Sequence, residues 1–169
     1  MKVEFIKADN SELTELEELA RRLWHGAFDK LIGPEQVEYM LGRFQSRAAF
    51  IRQIEEEGYD YYFIAADGVR AGYTAHCAAS DGALFLSKLY LSPEFRGKGL
   101  GTAGLDFAVK TAERKRLNKV ILTVNKRNAR AVEVYEKFGF KRIDAVKTDI
   151  GGGFFMDDYV YEYRVDACR

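Results

Sequence analysis

The spacing of apolar residues changes several times along the chain, and each change predicts an element. Lys2 to Ala8 alternates as a short strand. Asp9, Asn10 or Ser11 then caps a helix on which Leu13, Leu16, Ala20, Leu23, Trp24 and Ala27 recur at three- and four-residue steps, giving it one buried face. Gly33-Pro34 opens a second helix, and Ser46 opens a third with Phe50, Ile51 and Ile54 on one side and Gly58 as its stop. The period then falls to two. Tyr59 to Ala66 and Val69 to Ala79 read as strands joined by the hairpin signal Asp67-Gly68, and Ser80-Asp81-Gly82 leads into a third strand, Ala83 to Leu91.

Beyond Pro93 a glycine-rich stretch enters a helix from about Lys98 to Arg116, with Leu100, Gly104, Phe107, Ala108 and Thr111 on one face. Val120 to Val124 is a compact strand, and a helix from about Asn128 to Phe138 ends at Gly139. Phe140 to Ile150 and Phe154 to Val165 form a long hairpin through Gly151, Gly152 and Gly153. Strand, helix, strand in succession requires a parallel crossover, so the class is α/β with a mixed sheet.

Composition narrows the options. With 169 residues, two prolines and no linker-like tract, residues 1–169 read as a single domain. Apolar residues at 47% suffice for one substantial core. Basic and acidic residues number 26 each, which disfavours a nucleic-acid or anionic-membrane partner, since both demand a basic surplus. No apolar run approaches the roughly 20 residues that cross a bilayer, and Met1-Lys2-Val3-Glu4 lacks the apolar segment of a signal peptide, so a cytoplasmic location is expected. Cys77 and Cys168 show no metal-ligand spacing and no disulfide framework; no metal is expected.

The chemistry concentrates in Ser92-Pro93-Glu94-Phe95-Arg96-Gly97-Lys98-Gly99-Leu100-Gly101-Thr102, where a strand ends and a glycine loop enters a helix. Unpaired N–H groups at a helix start, with the positive end of its dipole behind them, suit a phosphate, and Arg96 and Lys98 add charge. Glycines there can also serve only close packing of helix on sheet. The ATP-type loop GxxxxGK[ST] is absent. Gly99-Leu100-Gly101-Thr102-Ala103-Gly104 satisfies the dinucleotide pattern GxGxxG, but seven residues, Ser92 to Lys98, separate it from its strand, and the next strand ends in Asn125 rather than an acidic residue. A nicotinamide-dependent oxidoreductase is therefore the distant alternative. The remaining pattern is Arg-x-x-Gly-x-Gly, met by Arg96, Gly99 and Gly101 directly after Leu89-Tyr90-Leu91.

This loop resembles the acetyl-CoA pyrophosphate loop of the GNAT superfamily of N-acetyltransferases. Asn128-Ala129-Arg130-Ala131-Val132-Glu133-Val134-Tyr135-Glu136-Lys137-Phe138-Gly139-Phe140 is similar to that superfamily's second motif, NxxAxxxYxKxGF. The order of elements agrees along the whole chain. Leu86 to Leu91 and Met156-Asp157-Asp158-Tyr159 look closest to the branch that holds polyamine and diamine acetyltransferases.

The resemblance implies a mixed, mostly antiparallel central sheet, splayed near the cofactor and flanked by helices. It also implies acetyl-CoA as cosubstrate, with the pyrophosphate on the amides of Arg96, Gly97, Lys98, Gly99, Leu100, Gly101 and Thr102. The pantetheine arm would pair with backbone at Leu89, Tyr90 and Leu91, and would meet Asn128 and Ala131. Tyr135 becomes the general acid for the departing thiolate. A β-bulge must free backbone on the preceding strand, because an interior strand has no spare hydrogen bonds. Many members carry a carboxylate base on the fourth strand, but Leu84-Phe85-Leu86-Ser87-Lys88 has none, which points to a water relay.

The residues leave several roles open. An imidazole ordinarily titrates near neutrality, so His25 and His76 are candidates for the base, but each reads more readily as structural or exposed. Asp157 and Asp158 can attract a cationic amine; such a pair in a strand is also often one exposed side chain and one cross-strand partner. Trp24, His25 and the tyrosines Tyr59, Tyr61 and Tyr62 are candidates for the acceptor wall. Glu133 and Lys137 form an i, i+4 surface pair. The expected reaction is direct acetyl transfer to a primary amine in a ternary complex, with a small amine or polyamine favoured over a protein amino terminus or lysine. A non-catalytic acyl-CoA-binding module is a further alternative, and a homodimer is compatible.

Overall fold

In the computed structural model residues 1–165 are described; Cys168 lies outside them. The described residues form seven strands and five α-helices. The strands are β1 (Val3–Lys7), β2 (Asp60–Ala66), β3 (Val69–Ala78), β4 (Ala83–Leu91), β5 (Lys119–Asn125), β6 (Lys141–Gly151) and β7 (Phe154–Arg164). The helices are α1 (Leu13–Ile32), α2 (Pro34–Phe44), α3 (Arg47–Glu56), α4 (Leu100–Arg114) and α5 (Ala129–Phe138). The sheet order is β1-β2-β3-β4-β5-β7-β6, a mixed and mostly antiparallel arrangement. β4 and β5 run parallel, as the crossover through α4 requires.

By contacts the chain divides into two compact units, the first Met1–Cys77 with Lys88–Gly101, the second Ala78–Ser87 with the residues from Thr102 onward. In the first unit, Asp9 accepts from the Ser11 N–H while the Glu12 carboxylate reaches back to the Asp9 N–H, a capping box that starts the helical run. Gly33 takes φ +86° and Pro34 occupies the first turn of α2, so α1 ends and α2 begins with almost no connection. Ser46 caps α3 through the Ala49 N–H. Leu13, Leu16, Leu19, Ala20 and Leu23 pack with Phe50, Tyr61, Phe63, Tyr73 and Ala75. Ala27, expected on the buried stripe, is only half-buried near the end of α1. A second cluster joins Ile64, Ala66, Ala71 and Leu100 to Leu89, Leu91 and Phe95. Asp67 (φ +48°) and Gly68 (φ +80°) are both left-handed, the turn that matches the twist of a two-residue hairpin.

In the second unit, Val120, Leu122 and Val124 alternate inward along β5, opposite Tyr163, Tyr161 and Tyr159 of β7. α5 covers that face, its Tyr135 and Phe138 rings meeting Tyr161 and Tyr163 at 6.4 and 5.4 Å between centroids. On α4 the buried stripe is Leu105, Ala108, Thr111 and Ala112; Phe107 is half-buried, its backbone carbonyl holding the Thr111 hydroxyl. β6 is the sheet edge. Its exposed run from Lys141 to Asp149 is broken by register shifts at Arg142/Asp144 and Asp149/Gly151, and it carries Lys, Arg and Asp along its length, features that discourage edge-to-edge pairing.

Candidate active site

Parallel pairing of β4 with β5 covers only Ala83–Phe85 against Lys119–Ile121. β4 nevertheless runs on to Leu91, and β5 continues against β7 as far as Asn125. The pairing thus covers only the first three residues of β4.

The far part of β4 is irregular. An added Cβ on Gly72 of β3 would lie 2.1 Å from the Tyr90 carbonyl oxygen and 3.0 Å from the Leu91 Cα, so only glycine allows β4 to approach so closely. The buried Thr74 hydroxyl donates to the Lys88 carbonyl (2.8 Å), and the Ser92 N–H donates to the Ala71 carbonyl (2.8 Å). Leu89 and Leu91 send their side chains into one core cluster, while Tyr90 packs in the other. All three side chains are thus committed to packing.

After Ser92 a short 3-10 turn, Pro93–Phe95, leads to the glycine loop. Gly97 (φ +71°) and Gly99 (φ +84°) are left-handed, and an added Cβ at either would meet nothing within 4 Å. Close packing is thus not what these glycines serve. Their conformation turns the chain into α4 and leaves their surface open to a ligand. Leu100 begins α4 with its side chain in the core, so only its amide remains for binding. Lys98 lies 5.6 Å from the Phe95 ring centre; Lys98 and Thr102 are exposed, Arg96 and Gly101 half-buried.

In the second unit Asn128 is the N-cap of α5: its side-chain oxygen accepts from the Ala131 N–H at 3.3 Å. The cap takes one lone pair of that oxygen, and its second lone pair and the amide NH2 suit a cofactor contact. Ala131 is half-buried two turns from the helix end. Tyr135 is half-buried, and desolvation lifts its hydroxyl to about 12. It stays protonated at any physiological pH. The Tyr161 hydroxyl beside it donates to Glu136 (2.7 Å) and is also raised to about 12, by burial and then by that carboxylate.

The Asp157-Asp158 pair divides as one exposed and one buried side chain. Asp157 holds Lys126 at 2.8 Å. Asp158, 9% exposed and across from Asn125 and Val146, is pushed up to about 6 by burial, then by the Asp157 charge, with Lys126 opposing.

The acceptor-wall candidates differ in their surroundings. His25 bridges Glu38 (2.7 Å) and Asp29 (2.8 Å), which raise its pKa, and Arg21 also holds Glu38. The imidazole thereby ties α1 to α2. Trp24 is 5% exposed, its N–H donating to the Tyr73 hydroxyl (3.1 Å), and its ring lies against Phe28 and Tyr90. It backs Tyr90 from inside the core rather than lining a surface. Tyr61 and His76 are wholly buried, Tyr59 and Tyr62 half-buried. A surface groove of about 740 Å³ lined by Lys126, Glu133, Lys137, Arg142 and Tyr159 contains none of the expected site residues. Among the described residues no cluster of His, Cys, Asp or Glu is placed to hold a metal, and no helix is long and apolar enough to cross a membrane.

The sequence reading overlooked Gly72 and Lys88. A lone glycine inside the run Val69–Ala78 was the available signal for the first, since glycine in a strand marks a bulge or a close backbone approach.

A mixed, mostly antiparallel sheet with a glycine loop entering the helix after β4 is the arrangement that the GNAT resemblance implies. Comparison with known proteins agrees. The acetyltransferase (GNAT) family model matches residues 14–140, and the chain belongs to that family. It is an acetyl-CoA-dependent N-acetyltransferase. An uncharacterised N-acetyltransferase of Mycobacterium tuberculosis is 30% identical over 150 residues, 89% of this chain and 96% of that protein. The spermidine N(1)-acetyltransferase of Thermoplasma acidophilum is 28% identical over 161 residues, covering 93% and 97%. The crystal structure of the PaiA N-acetyltransferase of Thermoplasma acidophilum in complex with coenzyme A shares the fold, with a TM-score of 0.81 at 24% identity over 97% of this chain and 99% of that one.

Two outcomes follow from this geometry. Gly72→Ala forces β4 away from β3 and should cost about 1 to 3 kcal/mol in urea denaturation, with the Tyr90 and Leu91 amide resonances moving most. Asp158 has a folded-state pKa above that of the unfolded chain, so the unfolded state binds fewer protons between about pH 4 and 6, and stability falls as pH rises through that window. Asp158→Asn should therefore stabilise the protein at pH 7 by roughly 2 to 3 kcal/mol and leave it nearly unchanged at pH 3.5, as paired denaturation curves would show.

Proposed function

We propose that the chain, acting as one domain, transfers acetyl from acetyl-CoA to a primary amine of a small polyamine-type acceptor, by direct attack without a covalent enzyme intermediate. The observation that carries the reading is the glycine loop at the start of α4, left-handed at Gly97 and Gly99 and open around both, whose amides suit a pyrophosphate. The polyamine preference draws on the spermidine N(1)-acetyltransferase relative and on the carboxylates Asp157 and Asp158.

Acetyl-CoA supplies the acyl group as a thioester. The amides of residues 96–102, with Arg96 and Lys98, would neutralise its pyrophosphate. Backbone at Leu89–Leu91 would pair with the arm, and an N–H at Tyr90 or Leu91 would polarise the acetyl carbonyl. Tyr135 would donate to the departing sulfur. A phenol near 12 is a weaker acid than a thiol near 8.5, so Tyr135 steadies the thiolate through a hydrogen bond, and the proton follows from solvent. Asp158, near 6 and ionised at neutral pH, has the affinity to take the proton shed by the amine, directly or through water.

Coenzyme A should raise the melting temperature and NAD should not; the shift should shrink in Arg96→Ala by the loss of a contact worth roughly 1.5 to 3 kcal/mol. A shift with NAD and none with coenzyme A refutes the reading. Turnover of a panel of amines, followed by thiol release, tests the acceptor. Tyr135→Phe keeps the ring and removes the donor, so kcat should fall on the order of a hundredfold with coenzyme A affinity little changed. Full activity in Tyr135→Phe would assign the donor role to another group or to water.

A further inference from the structure

Tyr135, the proposed hydrogen-bond donor to the departing sulfur, makes no hydrogen bond of its own among the described residues, and desolvation alone acts on its hydroxyl. Where that hydroxyl points is decided by how its ring packs and how α5 is held. The ring lies against Tyr161 and Phe140, at 6.4 and 6.2 Å between centroids. Apolar contacts of this kind are non-directional and let a helix roll on the rings beneath it, whereas a hydrogen bond fixes both distance and angle.

α5 is held at three places. At its start Asn128 caps it through the Ala131 N–H. At its end the Gly139 N–H donates to the carbonyls of both Tyr135 and Glu136, and the Phe140 N–H donates to the Tyr135 carbonyl at 3.0 Å. Gly139 takes φ +121°, and an added Cβ there would lie 3.3 Å from the Tyr163 ring, so this turn sits close on β7. Between the two ends, among the described residues, one side-chain hydrogen bond ties the helix to the sheet: Tyr161 Oη donates to Glu136 Oε1 at 2.7 Å. Tyr161 is wholly buried, with its ring edge-on to Tyr159 at 6.4 Å, so the donor is fixed in the sheet. The acceptor is a carboxylate, which makes this the stronger kind of hydrogen bond. Glu136 directly follows Tyr135 on a rigid helix, so a roll of α5 that broke the bond would carry the Tyr135 hydroxyl with it.

We propose that Glu136 and Tyr161 are positioning residues for acetyl transfer, their hydrogen bond setting the roll of α5 and through it the place of the Tyr135 hydroxyl. The positioning role rests on the donor role proposed for Tyr135. Neither residue has to touch the cofactor, and the role needs an acceptor oxygen at position 136 rather than a charge.

The test follows thiol release from acetyl-CoA with spermidine as acceptor, on variants whose melting curves show them folded. Tyr161→Phe keeps the ring and removes the hydroxyl; kcat should fall about fivefold to tenfold while KM for acetyl-CoA changes less than about twofold. Glu136→Leu should show the same loss, and Glu136→Gln, which keeps the acceptor oxygen, should stay within about twofold of wild type. The deciding variant combines Tyr161→Phe with Tyr135→Phe. If the bond acts through the Tyr135 hydroxyl, the combination should be no slower than Tyr135→Phe alone, whereas a purely structural pair gives losses that multiply. An unchanged kcat in Tyr161→Phe, or multiplying losses, overturns the proposal. Should Tyr161→Phe fail to fold, Glu136→Leu takes its place in the same comparison. If no turnover can be followed, 13C-tyrosine spectra decide: the Tyr135 ring signals, identified by their loss in Tyr135→Phe, should move in Glu136→Leu and stay in place in Glu136→Gln, and signals that stay in place in Glu136→Leu overturn the proposal. Full activity in Tyr135→Phe alone removes the donor role and the positioning role with it, while an impaired Tyr135→Phe beside a silent Tyr161→Phe overturns the positioning role only.

Discussion

A strand inside a sheet has its N–H and C=O groups committed on both sides, and burying them unpaired is expensive. In β4 the parallel pairing with β5 spans Ala83 to Phe85, and the strand runs on to Leu91. Much of the first unit can be understood as what holds such a strand in place. Gly72 lets the Tyr90 carbonyl lie against β3, Thr74 takes up the Lys88 carbonyl, Ala71 receives the Ser92 N–H, and the Lys88 amine reaches the end of α2. Side chains on both faces add packing: Leu89 and Leu91 beside Leu100, and Tyr90 beside Tyr73 and Trp24.

What was legible in the sequence is what short-range chemistry dictates. Asp9, Ser46 and Gly33-Pro34 mark helix ends because a cap or a left-handed residue is needed within a few positions, and all act as expected. Asp67-Gly68 specifies its turn through φ alone. The loop and α5 motifs were legible for the same reason: glycines at a helix entry, and an Asn and a Tyr two turns apart, are local patterns. The departures are long-range. Nothing near Gly72 in sequence announces the Tyr90 carbonyl, and nothing around Lys88, in a run of apolar residues, shows that its partners come from 27, 35 and 44 positions away. His25 shows the same limit, because a histidine in a helix gives no hint that two carboxylates, one of them on the next helix, will engage both ring nitrogens.

Asn128 shows how one local signal can carry two meanings. Asparagine is favoured as an N-cap for the same reason it suits ligand contact, a short side chain with a carbonyl and an amide. Its carbonyl caps α5, which orients the helix that carries Tyr135, so a substitution there acts on the helix start whatever else the amide does. Loss of activity in an Asn128 variant would therefore not by itself identify a cofactor contact.

The net charge of zero conceals two buried ionisable groups held against their preference in opposite senses. Burial drives Lys88 to give up its proton and Asp158 to keep one. Both lower stability at neutral pH relative to an uncharged residue of similar shape, because the unfolded chain would let each ionise freely. Their surroundings differ in a way that separates their roles. Lys88 is enclosed by neutral hydrogen-bond partners that fix it in place, whereas the Asp158 carboxyl sits near the Asp157–Lys126 pair with its pKa at about 6, where a small change of surroundings changes its charge. A lysine amine held by three hydrogen bonds suits a structural fastening; a carboxyl poised near neutrality suits proton transfer.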